Sequence, residues 1–210
     1  MRSLVLNAAS LGPSSTGDVA AFNGRRLVQH DRLDGIGATG ALPAKCRDMI
    51  RDLGWKNGPD LIIAVLGPGS FTGLRASLSL ANGLAFGFGA RLRGVTTGAC
   101  FRTRLGWENT ICVTQARRDR VFVEWPDGSF WAGSPAECPV PEEAILVGPG
   151  SSAVSPPGTD HPQVIWTGGP DIAWVLEAGL LSDDRSVLSP LYIDAPEAKL
   201  PARGLRPAPF

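Results

Sequence analysis

Apolar and polar positions along this chain follow two periods, one of strands and one of helices. Leu4 to Leu6 is a short apolar run that predicts a first strand. Asp18 to Phe22 and Arg26 to Gln29 flank Asn23-Gly24 and predict a β-hairpin. A two-residue hairpin turn needs positive φ, which Asn and Gly accept. Asn7 to Gly17, with Gly12-Pro13, and Asp34 to Gly40, with three glycines, read as loops. Leu42, Cys46, Met49, Ile50 and Leu53 recur at helical spacing, with Gly54 as the stop. The unbroken apolar run Leu61 to Leu66, between Pro59 and Gly67-Pro68-Gly69, predicts a strand buried on both faces. A helix starting at Ser70 or Thr72 and ending near Phe86, then a strand over Arg91 to Val95, completes a βαβ unit.

The second half is richer in strands and weaker in pattern. Ile111 to Thr114 and Val121 to Trp125 flank a basic turn, Arg117-Arg118-Asp119-Arg120. Phe130-Trp131 follows the turn Pro126-Asp127-Gly128, and Ala144 to Val147 ends at Gly148-Pro149-Gly150. That tripeptide echoes Gly67-Pro68-Gly69 and hints at duplicated lobes. Ser151 to Pro162 reads as a Ser/Pro loop, Asp171 to Leu181 as a short helix, and the four-proline tail from Ala195 as extended or disordered.

Composition narrows the function. The 20 Lys+Arg balance the 20 Asp+Glu, which argues against nucleic-acid binding by charge excess. Hydrophobic residues make up 43% of the 210, enough for a core. The 26 glycines and 18 prolines are about a fifth of the chain, against about 12% on average. No apolar leader or membrane-length run is visible. Cys46, Cys100, Cys112 and Cys138 form no CxxC or zinc spacing and are expected to be reduced and partly buried. A cytoplasmic protein is the expectation.

The chemistry-bearing candidates are few. Gly69, Ser70, Thr72 and Gly73 lie where a strand turns into a helix, so they read either as a capped tight turn or as an anion-binding loop. The segment is not a P-loop, since it has no Lys and five residues between Gly67 and Gly73. Gly73, Ser77, Ala81 and Ala85 form a small-residue stripe on that helix, with Leu74 and Leu78 beside it. The stripe is expected to admit another helix closely, from this chain or another. His30 and His161 stand apart with no metal-pair spacing, so no metal ligands and no catalytic residues are assigned. Asp183-Asp184 and the Arg117–Arg120 turn read as solvated, and Trp55, Trp166 and Trp174 as core or rim residues.

Nine consecutive residues, Gly67-Pro68-Gly69-Ser70-Phe71-Thr72-Gly73-Leu74-Arg75, resemble the GPGSFTG-hydrophobic-Arg signature of the TsaB (YeaZ) family. Shorter matches follow in the family's order: Gly94-Val95-Thr96-Thr97, Gln115-Ala116-Arg117 with Val121-Phe122, Pro190-Leu191-Tyr192-Ile193, and Ala198-Lys199-Leu200-Pro201. The resemblance implies an α/β fold of the actin-like (ASKHA, ribonuclease H-like) class, two-lobed, with mixed sheets flanked by helices. Its lobes are expected over residues 1–98 and 99–194, with a Pro-rich tail at 195–210.

The family's role is that of a non-catalytic scaffold in making N6-threonylcarbamoyladenosine in tRNA. By that resemblance the partners are a TsaD-type transferase and a TsaE-type ATPase. The chain would form a homodimer when alone and meet tRNA only through the complex, away from any membrane. No cofactor is required, and ATP or ADP belongs only at the interface with the partner. Gly73, Leu74, Ser77, Leu78, Ala81 and Ala85 are the expected partner interface.

Three departures from the family pattern stand out. Asn7 and Gln115 replace aspartates, and Ile36 to Gly40 stands where His-Ser-Glu is usual. The two lost acids remove carboxylates that would hold hydrated Mg²⁺. An ATP-binding transferase or glycoprotease-like enzyme of the same fold is the alternative.

Overall fold

The protein is described here from a computed structural model, over residues 1–10, 16–34, 37–105, 109–116, 119–141, 143–154 and 163–193. The first sheet contains β1 (Arg2–Asn7), β2 (Thr16–Asn23), β3 (Arg26–Asp34), β4 (Leu61–Gly67) and β5 (Arg91–Thr96), in the order β3-β2-β1-β4-β5. β1, β2 and β3 are antiparallel, and β4 and β5 run parallel to β1. The Asn23-Gly24 turn joins β2 to β3, with Gly24 at φ +60°.

Two layers of helix cover this sheet. α1 (Ala38–Asp52) and α2 (Phe71–Phe88) bury Leu42, Met49, Leu78 and Ala81 against Leu4, Leu6, Ile62 and Ala64. The opposite face, with Val5, Leu61, Ile63 and Val65, packs on Cys100 of α3 (Thr97–Leu105) and on Ile172, Val175 and Leu176 of α5 (Ile172–Leu181). β4 therefore sends alternate residues into two cores, and so its sequence is apolar without interruption.

The second sheet repeats the topology of the first. β6 (Thr110–Gln115), β7 (Val121–Glu124), β8 (Phe130–Gly133), β9 (Ile145–Val147) and β10 (Gln163–Trp166) lie in the order β8-β7-β6-β9-β10. Three antiparallel strands are again followed by two parallel ones. The expected actin-like, two-lobed class is what the chain adopts. The two Gly-Pro-Gly segments sit at one topological point, the end of the fourth strand of each sheet. α2 follows the first, and the four-residue α4 (Ser151–Val154) follows the second.

Three local differences from the sequence reading have nonlocal causes. α1 begins at Ala38, inside the glycine-rich segment read as a loop, and contains Pro43. Burial of Ala38, Leu42 and Cys46 against the first sheet outweighs poor propensity there. α4 begins the stretch read as a Ser/Pro loop. α3 has no expected counterpart, because only Cys100 and Phe101 give it a large apolar side.

What holds α3 is Glu124 of β7, which is 1% exposed. Its carboxylate accepts hydrogen bonds from the Thr96 hydroxyl, from Gly98 N at 2.7 Å and from Arg102 Nη2 at 2.6 Å. Arg102 Nη1 also donates to the Trp125 carbonyl at 3.2 Å. One acid of the second sheet thus fastens the helix that leaves the first. Its negative charge also sits at the positive N-terminal end of α3.

All four cysteines are free; Cys46, Cys100 and Cys112 are buried and Cys138 is half-buried. Burial pushes the Cys46 thiol from 9.0 up to about 12 and Cys138 up to about 11, and raises Cys100 and Cys112 as well.

Glu124→Ala should destabilise the fold by about 3–5 kcal/mol, since it strands the partly buried Arg102, and Glu124→Gln by less; urea midpoints measure both. The unfolded chain loses its Cys46 proton near pH 9 and the folded chain only near 12. Stability from this thiol is therefore complete below pH 9 and lost as pH rises towards 12. Dithionitrobenzoate at pH 8 should label Cys46, Cys100 and Cys112 only after unfolding.

Candidate partner-binding surface

The signature segment occupies the turn from β4 into α2. Gly69 lies so close to the end of the β1 strand that a Cβ there would overlap the Ala9 carbonyl. Ser70 N donates to that carbonyl at 2.6 Å. The Ser70 hydroxyl accepts from Gly73 N at 3.3 Å, which makes it the N-cap of α2, and Leu74 N donates to Ser70 O at 2.8 Å. Thr97 Oγ1 donates to Pro68 O at 3.0 Å, tying the turn to α3. Of the four residues offered as an anion loop, Ser70 and Gly73 spend their backbone N–H groups inside the protein, and Thr72 is exposed.

α2 has two unlike faces. Gly73, Leu74, Ser77, Leu78, Ala81 and Ala85, the six residues expected to meet a partner, are all buried within this chain. Ser77 Oγ bonds the Leu74 carbonyl at 3.2 Å, and Leu78, Ala81 and Ala85 belong to the core under the first sheet. The stripe thus lies where α2 packs on the chain's own first sheet and α1. The same burial leaves no room for Trp at Ser77 or Ala81.

The face left to solvent carries Phe71, Arg75, Ser79, Gly83 and Phe86. Phe86 is 93% exposed and Phe71 45%. The Arg75 guanidinium lies over the Phe71 ring, 4.8 Å from its centre, and Phe71 meets Tyr192 at 5.5 Å. An open groove of about 400 Å³ runs between this face and residues 188–192. Sequence periodicity misses the face because α2 is apolar nearly all round. Its one usable signal was bulky Phe at positions off the small stripe.

The departures from the family pattern fall at matching places. Asn7 closes β1 and Gln115 closes β6, the first strand of each sheet. Asn7 is buried, and its Oδ1 accepts from Ala9 N at 3.3 Å. Gly37 to Gly40 lie at the start of α1, and Ile36 lies outside the described residues.

The other candidates are scattered. His30 pairs with Asp18 at 2.8 Å, and Asp184 with Arg93 at 2.6 Å. Trp55 is buried, whereas Trp166 is 38% exposed and contacts Trp174 at 4.9 Å. His161, Arg117, Arg118 and the 198–201 segment lie outside the described residues. Among the described residues there is no group of three or more His, Cys, Asp or Glu side chains that could hold a metal, and no helix long and apolar enough to cross a membrane.

Fold and surface together define a two-lobed actin-like protein with three exposed phenylalanines, Phe71, Phe86 and Phe88, on one helix of the first sheet. Comparison with known proteins narrows this further. The fold is that of YeaZ. YeaZ from Pseudomonas aeruginosa superposes with a TM-score of 0.70 at 22% identity, over 91% of this chain and 99% of its own. A second Pseudomonas aeruginosa structure, described as an uncharacterized protein with similarity to peptidase YEAZ, gives 0.73 at 20% identity, over 92% and 99%.

In sequence, no family model matches. An uncharacterized protein of Mycobacterium tuberculosis is 29% identical over 149 residues, 67% of this chain. A Mycobacterium bovis protein matches equally. The match spans 66% of the length of each of these relatives.

Substitutions separate the two faces of α2. Ser77→Trp or Ala81→Trp should lower stability by about 1–3 kcal/mol or prevent folding, because neither site has room for an indole. Ser79→Trp on the outer face should leave the stability within about 0.5 kcal/mol of the parent. Circular dichroism melts compare the three.

Proposed function

We propose that this chain is a TsaB-type subunit, a non-catalytic scaffold that binds and activates a TsaD-type transferase for N6-threonylcarbamoyladenosine formation in tRNA. The observation that carries this reading is the nine-residue signature at Gly67 to Arg75, seated at the β4–α2 turn of a YeaZ fold. On this reading the exposed aromatics of α2, Phe71, Phe86 and Phe88, are the side chains that a docked partner covers. Neutral residues at Asn7 and Gln115 support a supporting rather than a hydrolytic role, because neither can neutralise a bound Mg²⁺.

On this reading the outer face of α2, through Phe71, Ser79, Gly83 and Phe86, replaces the buried stripe as the contact with the partner. A second copy covers that face when the chain is alone. A TsaE-type ATPase joins the assembled pair, tRNA is met through the complex, and ATP or ADP belongs at the interface. Work in the cytoplasm follows from that role.

Size-exclusion chromatography with light scattering, on this chain mixed with the TsaD-type protein of the same organism, tests the proposal. A one-to-one complex formed at the expense of the homodimer is expected; no complex would overturn it. Phe86→Asp should weaken the complex at least about tenfold without moving the thermal midpoint, because Phe86 touches little of its own chain.

A further inference from the structure

We infer that Arg75 sets the specificity of the α2 surface, by receiving an Asp or Glu side chain of the partner in the groove between α2 and residues 188–192. This rests on the partner-binding reading above and adds the chemistry of the contact. Arg75 is the only charged side chain lining the groove among the described residues. Leu78 and Leu188 supply apolar lining, and Ser79, Pro190 and Tyr192 line it as well.

The groove wall is fixed before any partner arrives. The Asn82 amide bonds Leu188 at both ends, donating to its carbonyl at 2.9 Å and accepting from its N–H at 2.8 Å. Leu191 N donates to Leu66 O at 2.9 Å. The 188–191 stretch is therefore tied both to α2 and to β4.

Arg75 is held in place as well. Its guanidinium stacks on Phe71, and Phe71 in turn meets Tyr192. A guanidinium over a ring keeps N–H donors for a hydrogen-bonded acceptor. Arg2, Arg93 and Arg102 each have a carboxylate of this chain, at 2.5 to 2.6 Å. Among the described residues Arg75 forms no such ion pair.

Charge selects the occupant. A carboxylate carries one negative charge and two in-line oxygens, which one guanidinium answers with two parallel bonds. A phosphate site gathers several cations or backbone N–H groups, and this groove presents one cation among Leu78, Leu188, Pro190 and Tyr192 and the short neutral side chains Ser79, Asn82 and Ser189. Holding Arg75 in advance also reduces the side-chain entropy lost on binding.

The test is isothermal titration of the same TsaD-type protein with the parent chain, Arg75→Lys and Arg75→Glu, at low and at high salt. Thermal melts confirm that the exposed substitutions leave the fold intact. Arg75→Glu should weaken binding about 30-fold or more, with the difference shrinking at high salt, and Arg75→Lys by less, because an ammonium keeps the charge without the two-pronged geometry. A charge-reversed acid on the partner should restore binding of Arg75→Glu. Equal binding by the parent and Arg75→Glu would overturn the Arg75 contact while leaving the scaffold reading standing. Failure of the parent chain itself to bind would overturn both. Unchanged protein binding with loss of tRNA retention in a filter assay would assign the guanidinium to a phosphate instead and overturn the carboxylate.

Discussion

The close approach of Gly69 to Ala9 governs the architecture of the first lobe. With no side chain at Gly69, the turn after β4 lies directly on the end of β1, and Ser70 N bonds the Ala9 carbonyl. That contact fixes where α2 starts. Ser70 then caps the helix, and the register of every later α2 residue is set. An 18-residue helix begun one position later would turn each side chain by about 100° and carry Ala81 out of the core.

The same constraint operates in the second lobe. A Cβ at Gly150 would come within 2.8 Å of the Thr114 carbonyl carbon, and Gly150 N bonds Val113 O at 2.9 Å. In each sheet, therefore, the turn after the fourth strand rests on the end of the first. The two lobes are joined by different means. Glu124 gathers Thr96, Gly98 and Arg102 around one buried carboxylate, and α5 returns from the second half of the chain to cover the first sheet. A buried carboxylate needs donors in place of the water it has lost, and here three converge.

These packing facts decide how the surface can serve a partner. Glycines cost α2 helix propensity. Their compensation is internal, since Gly73, Ala81 and Ala85 let the helix settle onto its own lobe. The aromatic residues are thereby directed outwards, with Phe86 at one end of the helix and the Phe71–Arg75–Tyr192 stack at the other. A rigid helix with a fixed groove beside it meets a partner with little ordering cost.

Much of the fold was legible in the residues because it rests on local rules. The Asn23-Gly24 turn, the doubly buried Leu61–Leu66 strand, the βαβ unit and the Gly-Pro-Gly echo all follow from backbone freedom and hydrophobic period, and each occupies its expected place. α3 was not legible, since its hold comes from Glu124, 26 residues beyond Gly98. Nor was the orientation of α2. A helix apolar on nearly all sides carries no periodic mark of which face is inside, so sequence alone left the small stripe open to a helix of this chain or of another. Only tertiary packing, through the seat of Gly69 on Ala9, turned that stripe inwards and left Phe86 and Arg75 to the solvent.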